Sequence, residues 1–306
     1  MKHLYFRGAG RLAGFIALAS LCIAVAVSPA WTAERLLNGK GLLWKVEREG
    51  TQPSWVFGTM HVSDERVTTL PKQLVEVLTQ VDSLSLELIF HDRMNDENQP
   101  LLLPEGRRLR DIIGKRMFGQ LAERMSAYGV CEKQLDRFKP WAALNFLGPL
   151  SPEPARRESG NVFLDHYLQL IAAERGARVF ALETPKEQLE VFDGMSERHQ
   201  VDMLRHALRS KSRGKHKFER MVELYLKSDV AAILREATGR KVNSPEFARV
   251  FHKRILDSRN KIMVKRMAPR LTEGNALIAV GAAHLPGRVG ILNLLAKQGY
   301  TVARVY

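Results

Sequence analysis

The sequence predicts an α/β fold in which helices flank a mixed, largely parallel central sheet, with a helical middle region of about 105–270. Short apolar runs bounded by turn residues alternate with helical patterns at both ends of the chain. Each end contains a strand, a helix and a second strand, over residues 55–88 and 276–305. Because crossovers of this length join parallel strands, both ends are predicted to contribute to a parallel sheet.

The predicted strands cover six short apolar segments that are bounded by turn residues. They are Leu42–Val46, Trp55–Thr59, Ser83–Leu88, Arg178–Leu182, Ala276–Val280 and Tyr300–Val305.

Proline and glycine mark the ends of the predicted helices. Pro71 is expected at the first position of one helix, and Pro185 lies within a capping box that opens another. Gly176 is expected to end a helix over residues 161–175, and Gly299 to end the last helix. A further helix opens at Ser244-Pro245-Glu246 and continues toward Met267.

The composition is that of a globular protein and excludes several classes of site. The 306 residues are 45% hydrophobic and 26% charged, unlike fibrous, disordered or multi-span membrane proteins. Cys22 and Cys131 are the only cysteines, which excludes a disulfide scaffold, an iron–sulfur centre and a cysteine-rich zinc module.

The first thirty residues have the pattern of a signal peptide. Lys2, Arg7 and Arg11 precede an uncharged apolar run over residues 12–27, and Ser28-Pro29-Ala30 supplies small residues for cleavage. We therefore expect a periplasmic or secreted protein with a single domain over residues 31–306. An uncleaved N-terminal anchor is the alternative, because no charge occurs over residues 12–33.

The chain is strongly basic, with a formal net charge of +14. Removal of residues 1–30 takes away three positive and no negative charges, which leaves +11. The segment Arg205–Arg220 holds seven Lys or Arg residues and is predicted to be a solvated helix–turn–helix that could contact an acidic surface or polysaccharide. No nucleic-acid partner is expected, because the segment lacks interleaved aromatic residues.

Chemically active residues follow four of the predicted strands. Two strands run into the same Gly-x-x-His pattern, Gly58-Thr59-Met60-His61 and Gly281-Ala282-Ala283-His284. Glu87 lies near the end of a third strand, and Glu183 follows a fourth. Because the carboxyl ends of parallel strands share one edge of a sheet, the two imidazoles and two carboxylates are predicted to meet there.

Two histidines with one or two glutamates are typical donors for a catalytic divalent metal. The metal would lower the pKa of a water molecule, and the remaining carboxylate could take its proton. The structural alternatives are a hydrogen-bonded loop histidine for His61, an exposed sheet residue for Glu87, and a favourable charge at a helix terminus for Glu183.

Motifs along the whole predicted mature chain resemble those of the TraB/PrgY/GumN family, which is related to the TIKI metalloproteases. The first and last are Val56-Phe57-Gly58-Thr59-Met60-His61-Val62 and Val280-Gly281-Ala282-Ala283-His284-Leu285-Pro286-Gly287. Between them lie Leu86-Glu87-Leu88, Leu182-Glu183-Thr184, Glu187-Gln188-Leu189 and Ser258-Arg259-Asn260. Phe138-Lys139-Pro140-Trp141 and Gly160 to Asp165 also resemble family blocks, although Asn161–Leu164 lengthens the usual spacing before Asp165.

The resemblance implies a fold shared with TIKI, erythromycin esterase-like and ChaN-like proteins, and divalent-metal-dependent (Zn, Mn or Co) hydrolysis of a peptide or other small polymer. It implies that His61 and His284 are metal ligands or their immediate partners. Glu87 and Glu183 would be ligand and general base, in either order. Arg259 would stabilise an oxyanion, and Asn260 would orient the substrate or Arg259. The alternative is a non-catalytic binder of haem or exported polysaccharide with the same fold.

Overall fold

The computed structural model describes residues 38–90, 101–126, 129–144, 162–209, 214–238 and 245–306. The predicted signal peptide lies outside these residues. The chain divides into two compact units. The helical unit includes residues 101–126, 129–144 and 185–209, and the sheet unit includes residues 38–90, 162–184, 215–238 and 245–306. The single domain over residues 31–306 stays a prediction.

The sheet unit contains a six-stranded sheet with the order β4-β3-β5-β2-β1-β6. Strands β2, β3, β4 and β5 run parallel, whereas β1 pairs antiparallel with β2 and β6. The predicted mixed, largely parallel α/β fold is therefore confirmed. The strands are β1 (Leu43–Glu47), β2 (Ser54–Thr59), β3 (Ser83–Leu86), β4 (Arg178–Ala181), β5 (Ala276–Gly281) and β6 (Thr301–Arg304).

The position of each strand in the sheet follows its composition. All six residues of β5 are buried, and β5 lies between β2 and β3. A run without polar side chains suits a strand that is covered on both faces. The edge strands β4 and β6 have exposed residues at their ends.

Helices connect the strands and build the second unit. Those of the sheet unit are α1 (Glu65–Thr68), α2 (Lys72–Leu78), α7 (Leu164–Glu174), α10 (Gly214–Leu226), α11 (Val230–Thr238), α12 (Pro245–His252), α13 (Arg259–Glu273) and α14 (Ile291–Lys297). Those of the helical unit are α3 (Leu109–Ile113), α4 (Lys115–Ser126), α5 (Glu132–Leu135), α6 (Pro140–Leu144), α8 (Pro185–Asp193) and α9 (Glu197–Arg209).

Most helix ends agree with the sequence signals. Helix α7 ends two residues before Gly176, which has a φ of +77°, a conformation that glycine adopts without steric cost. Pro71 lies at the N-cap of α2 rather than at its first helical position. The helix that opens at Pro245 runs past Met267 to Glu273, where Gly274 at φ +79° ends it.

A π-helical segment, Lys253–Ser258, joins α12 to α13. The helix signals from Ser244 toward Met267 do not predict this change in helix geometry. Single π-helical turns inside α-helices are often found at functional sites. This one immediately precedes Arg259, which belongs to the cluster described below.

The helical unit explains the Phe138-Lys139-Pro140-Trp141 block in structural terms. Trp141 stacks on Phe192 with ring centroids 5.8 Å apart, and its indole N–H donates to Asp193 Oδ1 over 2.9 Å. Lys139 Nζ donates to both Asp193 carboxylate oxygens, over 2.7 and 2.9 Å. The block therefore joins α6 to α8 through one buried ring and one ion pair.

Among the described residues, no helix combines the length and the apolar character that a bilayer crossing requires.

Replacing Ser85 with alanine is expected to raise the free energy of unfolding by about 1 kcal/mol. Ser85 lies on β3 and is fully buried, and within the described structure its Oγ has no hydrogen-bond partner. Removal of an unsatisfied hydroxyl relieves its desolvation cost. Urea denaturation measures the change. The matched control is Ser54→Ala, which should be destabilising because Ser54 Oγ accepts from the Ala276 N–H over 3.2 Å. Equal losses in both variants would contradict this account of Ser85.

Candidate functional site

The four side chains predicted at the carboxyl ends of the strands all lie in the sheet unit and are buried. His61, Glu87, Glu183 and His284 each have a relative exposure below 10%. They follow β2, β3, β4 and β5, which are the parallel strands, so all four lie at one edge of the sheet. The edge brings together residues that are separated by more than 200 positions along the chain.

Arg259 holds the two glutamates together. Its Nη2 donates to Glu87 Oε2 over 2.6 Å and to Glu183 Oε2 over 2.6 Å. Its Nε donates to Glu183 Oε1 over 2.9 Å, and its Nη1 donates to the carbonyl of Ile255 over 3.2 Å. Glu183 is thus paired in the bidentate geometry that a planar guanidinium provides. The cluster contains one buried cation between two buried carboxylates.

Glu87 stays ionised despite its burial. Burial alone would raise the pKa of this carboxyl group, but the charges of Arg259, His284 and His61 and a backbone hydrogen bond together outweigh it, and the net pKa lies well below its ordinary value. The Gly281 N–H adds a hydrogen bond to Glu87 Oε1 over 2.7 Å. A Cβ at Gly281 would lie 3.2 Å from that oxygen, so glycine permits the close approach.

His61 is oriented by a buried aspartate. Its Nδ1 lies 2.7 Å from Asp165 Oδ2, and Thr59 Oγ1 donates to Asp165 Oδ1 over 2.6 Å. Burial lowers the pKa of His61, but the charge and the hydrogen bond of Asp165 outweigh that effect and raise the pKa to about 9. The hydrogen bond fixes the ring and engages Nδ1, which makes Nε2 the nitrogen for any further ligand.

The pKa of His284 is shifted in the opposite direction to that of His61. Its Nδ1 hydrogen-bonds to Asn260 Oδ1, while Asn260 Nδ2 donates to the carbonyl of Val289 over 2.8 Å. Because the amide oxygen faces the ring, Nδ1 carries the proton and Nε2 keeps its lone pair. Burial lowers the pKa of His284 to about 3, against the opposing effect of Glu87, and the charges of Arg259 and His61 add to the lowering.

The two histidines belong to one electrostatic cluster. The charge of His61 is among the causes that lower the pKa of His284, and both histidines act on the pKa of Glu87. His284 Nε2 lies 3.7 Å from Glu87 Oε1. Residues from both ends of the chain therefore lie in this one cluster.

The imidazoles fit a metal better than the carboxylates do. Each histidine has its Nδ1 bound to a neighbouring oxygen, which is the arrangement usual for histidines that bind metal through Nε2. Both carboxylates are engaged by Arg259, however. In the described parts of the chain, no three His, Cys, Asp or Glu side chains are arranged to hold an ion.

Sequence reasoning missed the residues that orient the histidines. Asn260 was predicted to orient the substrate or Arg259, but its side chain contacts His284. Thr59 was not singled out, and Asp165 was placed only through a family block. Tyr225 also supports this edge, because its hydroxyl donates to the Gly58 carbonyl over 2.9 Å.

Comparison with known proteins decides the family. The sequence model of the TraB/PrgY/gumN family matches residues 42–304, which include the whole sheet. The match also includes the charged cluster, which is formed by His61, Glu87, Glu183, Arg259 and His284. The chain belongs to this family. The resemblance drawn from the motifs is therefore confirmed.

This TraB/PrgY/gumN chain is also similar to an individual protein whose name states an activity. A protein named "Metalloprotease TIKI homolog", from Nematostella vectensis, is 23% identical over an alignment of 322 residues. The alignment covers 88% of this chain and 68% of the relative. No solved structure gives a significant match.

Proposed function

We propose that this TraB/PrgY/gumN protein is a hydrolase that cleaves a peptide or related carbonyl bond with the help of a divalent metal ion. The observation that carries the proposal is the pair of strand-end imidazoles, each oriented through Nδ1, beside two buried glutamates that are paired with Arg259. The likeness to a metalloprotease homologue supports the same reaction class.

The metal would be held by Nε2 of His61 and Nε2 of His284. Glu87 Oε1 lies 3.7 Å from His284 Nε2, which places a carboxylate beside this nitrogen. A bound divalent ion supplies Lewis acidity, which lowers the pKa of water. The two imidazoles differ in protonation state near neutral pH. His61 must lose a proton before it can bind a metal ion, whereas His284 is already neutral.

Glu87, Arg259 and Glu183 would serve proton transfer and charge stabilisation. Hydrolysis adds the oxygen of water to the carbonyl carbon and a proton to the leaving nitrogen, with no change in oxidation state. Glu87 is ionised and can carry that proton. Arg259 provides the positive charge for the developing oxyanion, and Glu183 holds Arg259 in position through two hydrogen bonds.

The proposal is tested by incubating residues 31–306 with a mixed-sequence peptide library, with Zn, Mn or Co added, and detecting cleavage by mass spectrometry. We expect cleavage that a chelator abolishes and that Glu87→Gln reduces at least about a hundredfold. Ser85→Ala, two residues before Glu87 on the buried strand β3, is the matched control and should retain activity. Cleavage that persists at full rate in chelator and in Glu87→Gln would overturn the proposed mechanism.

A second candidate is a non-catalytic binder of haem or exported polysaccharide. The observation that favours it is the engagement of both carboxylates by Arg259, which leaves neither in an obvious ligand arrangement. Titration with haem, followed by visible absorption, and binding assays with acidic polysaccharide distinguish the two functions. Binding without cleavage of any peptide would favour this candidate.

Export remains a proposal that rests on the pattern of residues 1–30. N-terminal sequencing of the protein from a periplasmic fraction should begin near residue 31 if the segment is cleaved. The contact of Arg205–Arg220 with an acidic surface is likewise a proposal. It should be dropped if neutralising Lys211, Arg213 and Lys215 leaves salt-sensitive binding unchanged. Lys217 is left out of this test because it is buried rather than solvated as predicted.

A further inference from the structure

Three aromatic side chains form a group beside the charged cluster. We name this group, Phe90, Phe163 and His166, the aromatic wall. The rings of Phe90 and Phe163 meet edge to face, with centroids 4.7 Å apart at 89°. The ring centroid of His166 lies 5.7 Å from that of Phe90 and 6.0 Å from that of Phe163, and the ring planes are tilted relative to each other. These distances are within the range at which aromatic rings attract one another.

The aromatic wall is continuous with the candidate site. The rings of Phe163 and His61 are nearly perpendicular, with centroids 6.1 Å apart and an interplanar angle of 79°. All three wall residues are partly exposed to solvent, whereas the charged residues of the cluster are buried. A substrate at His61 would therefore have an apolar surface within one side-chain length.

Hydrogen bonds hold the aromatic wall in place. The side chain of Gln169 forms two hydrogen bonds with the backbone of Phe90. Its Oε1 accepts from the Phe90 N–H over 2.8 Å, and its Nε2 donates to the Phe90 carbonyl over 2.7 Å. The Leu164 N–H donates to the Val62 carbonyl over 3.2 Å, which ties the start of α7 to the residue after His61. The wall is thus preorganised relative to His61, as a binding surface requires.

We propose that the aromatic wall is a specificity subsite that binds an aromatic or large apolar side chain of the substrate, next to the bond that is cleaved. This inference rests on the proposed hydrolase function. The charged cluster suits the polar backbone of a peptide, and the rings suit an apolar side chain on that backbone. Contact with partly exposed rings removes apolar surface from water on both partners.

The alternative is that the three rings only pack the loop after β3 against α7. Rings that serve packing alone would give no preference among small ligands. A difference in binding between an aromatic and a side-chain-free probe therefore separates the two explanations.

Two uncharged probes test the subsite without requiring catalysis: N-acetyl-phenylalanine amide and N-acetyl-glycine amide. Dissociation constants are measured by NMR titration of the metal-loaded protein. We expect the phenylalanine probe to bind about tenfold more tightly than the glycine probe, as a modest aromatic contact allows. Phe163→Ala should reduce this preference to about twofold or less.

The matched control is Tyr167→Ala, because Tyr167 lies in the first turn of α7, close to Phe163 in sequence, with 37% of its surface exposed, and its loss should not alter the preference. If Phe163→Ala fails to fold, Phe163→Leu is used and should reduce the preference to about threefold, because it keeps an apolar contact and loses the ring. A wild-type protein without preference, or a preference unchanged in the Phe163 variant, would overturn the subsite.

The peptide-library assay distinguishes failure of the proposed subsite from failure of the proposed hydrolase function. Cleavage without preference for aromatic or large apolar residues, together with equal probe affinities, overturns the subsite and leaves the hydrolase in place. A binding preference that Phe163→Ala removes, in a protein that cleaves no peptide, supports the subsite as a ligand-binding surface and overturns the hydrolase.

Discussion

Arg259→Met is expected to lower the free energy of unfolding by about 3–5 kcal/mol. Arg259 is 5% exposed and is the cation that separates two buried carboxylates, Glu87 and Glu183. Its loss leaves both negative charges in a medium of low polarity, and one or both must then take up a proton or draw in water. Chemical denaturation of the purified mature chain measures the change.

Two further variants identify the cause of that loss. Lys265→Met lies on the same helix at an exposed position and should change stability by less than about 0.5 kcal/mol. Adding Glu87→Gln and Glu183→Gln to Arg259→Met should recover a large part of the stability, because the unpaired charges are removed. A single Arg259→Met variant as stable as wild type would show that the cluster is not buried as described.

Asp165→Asn is expected to lower the pKa of His61 from about 9 to below its ordinary value of 6.5 in chelator-treated protein. Burial lowers the pKa of His61, and the carboxylate of Asp165 is the main group that opposes this effect. The amide keeps the size and one acceptor oxygen but removes the charge. NMR titration of the histidine ring protons measures the pKa directly.

The same substitution should change how stability depends on pH. A histidine whose folded-state pKa is raised contributes stability that is complete below about pH 6.5 and is lost as the pH rises through about 9. The difference in the free energy of unfolding between wild type and Asp165→Asn should therefore narrow by at least about 3 kcal/mol as the pH rises from about 6 to above 9. Asp136→Asn, a buried aspartate of the helical unit, should leave the His61 titration unchanged. A His61 pKa that stays near 9 in Asp165→Asn would refute the assignment.

The sequence predicted the fold well because the strands are apolar and bounded by turn residues. Each of the six predicted strands is present, with ends shifted by no more than two residues. The order of the strands was not predictable in the same way. Strand β5 from the end of the chain lies between β2 and β3 from its beginning, and only long-range packing determines that position.

The candidate site was predictable to the extent that it depends on strand ends. His61, Glu87, Glu183 and His284 share one edge because parallel strands place their carboxyl ends together. Their partners were harder to predict. Asp165 reaches His61 across 104 positions, and Arg259 reaches Glu87 across 172, so no local periodicity reports either contact.

The metal content of the purified mature chain tests the central claim most directly. Inductively coupled plasma mass spectrometry is applied to wild type, to the His61→Ala and His284→Ala double variant, and to His216→Ala as an exposed histidine control. After equilibration with Zn, Mn or Co and removal of free ion, wild type and His216→Ala are predicted to retain about one ion per chain, and the double variant almost none. Equal metal content in all three proteins, or none in any of them, would contradict the account.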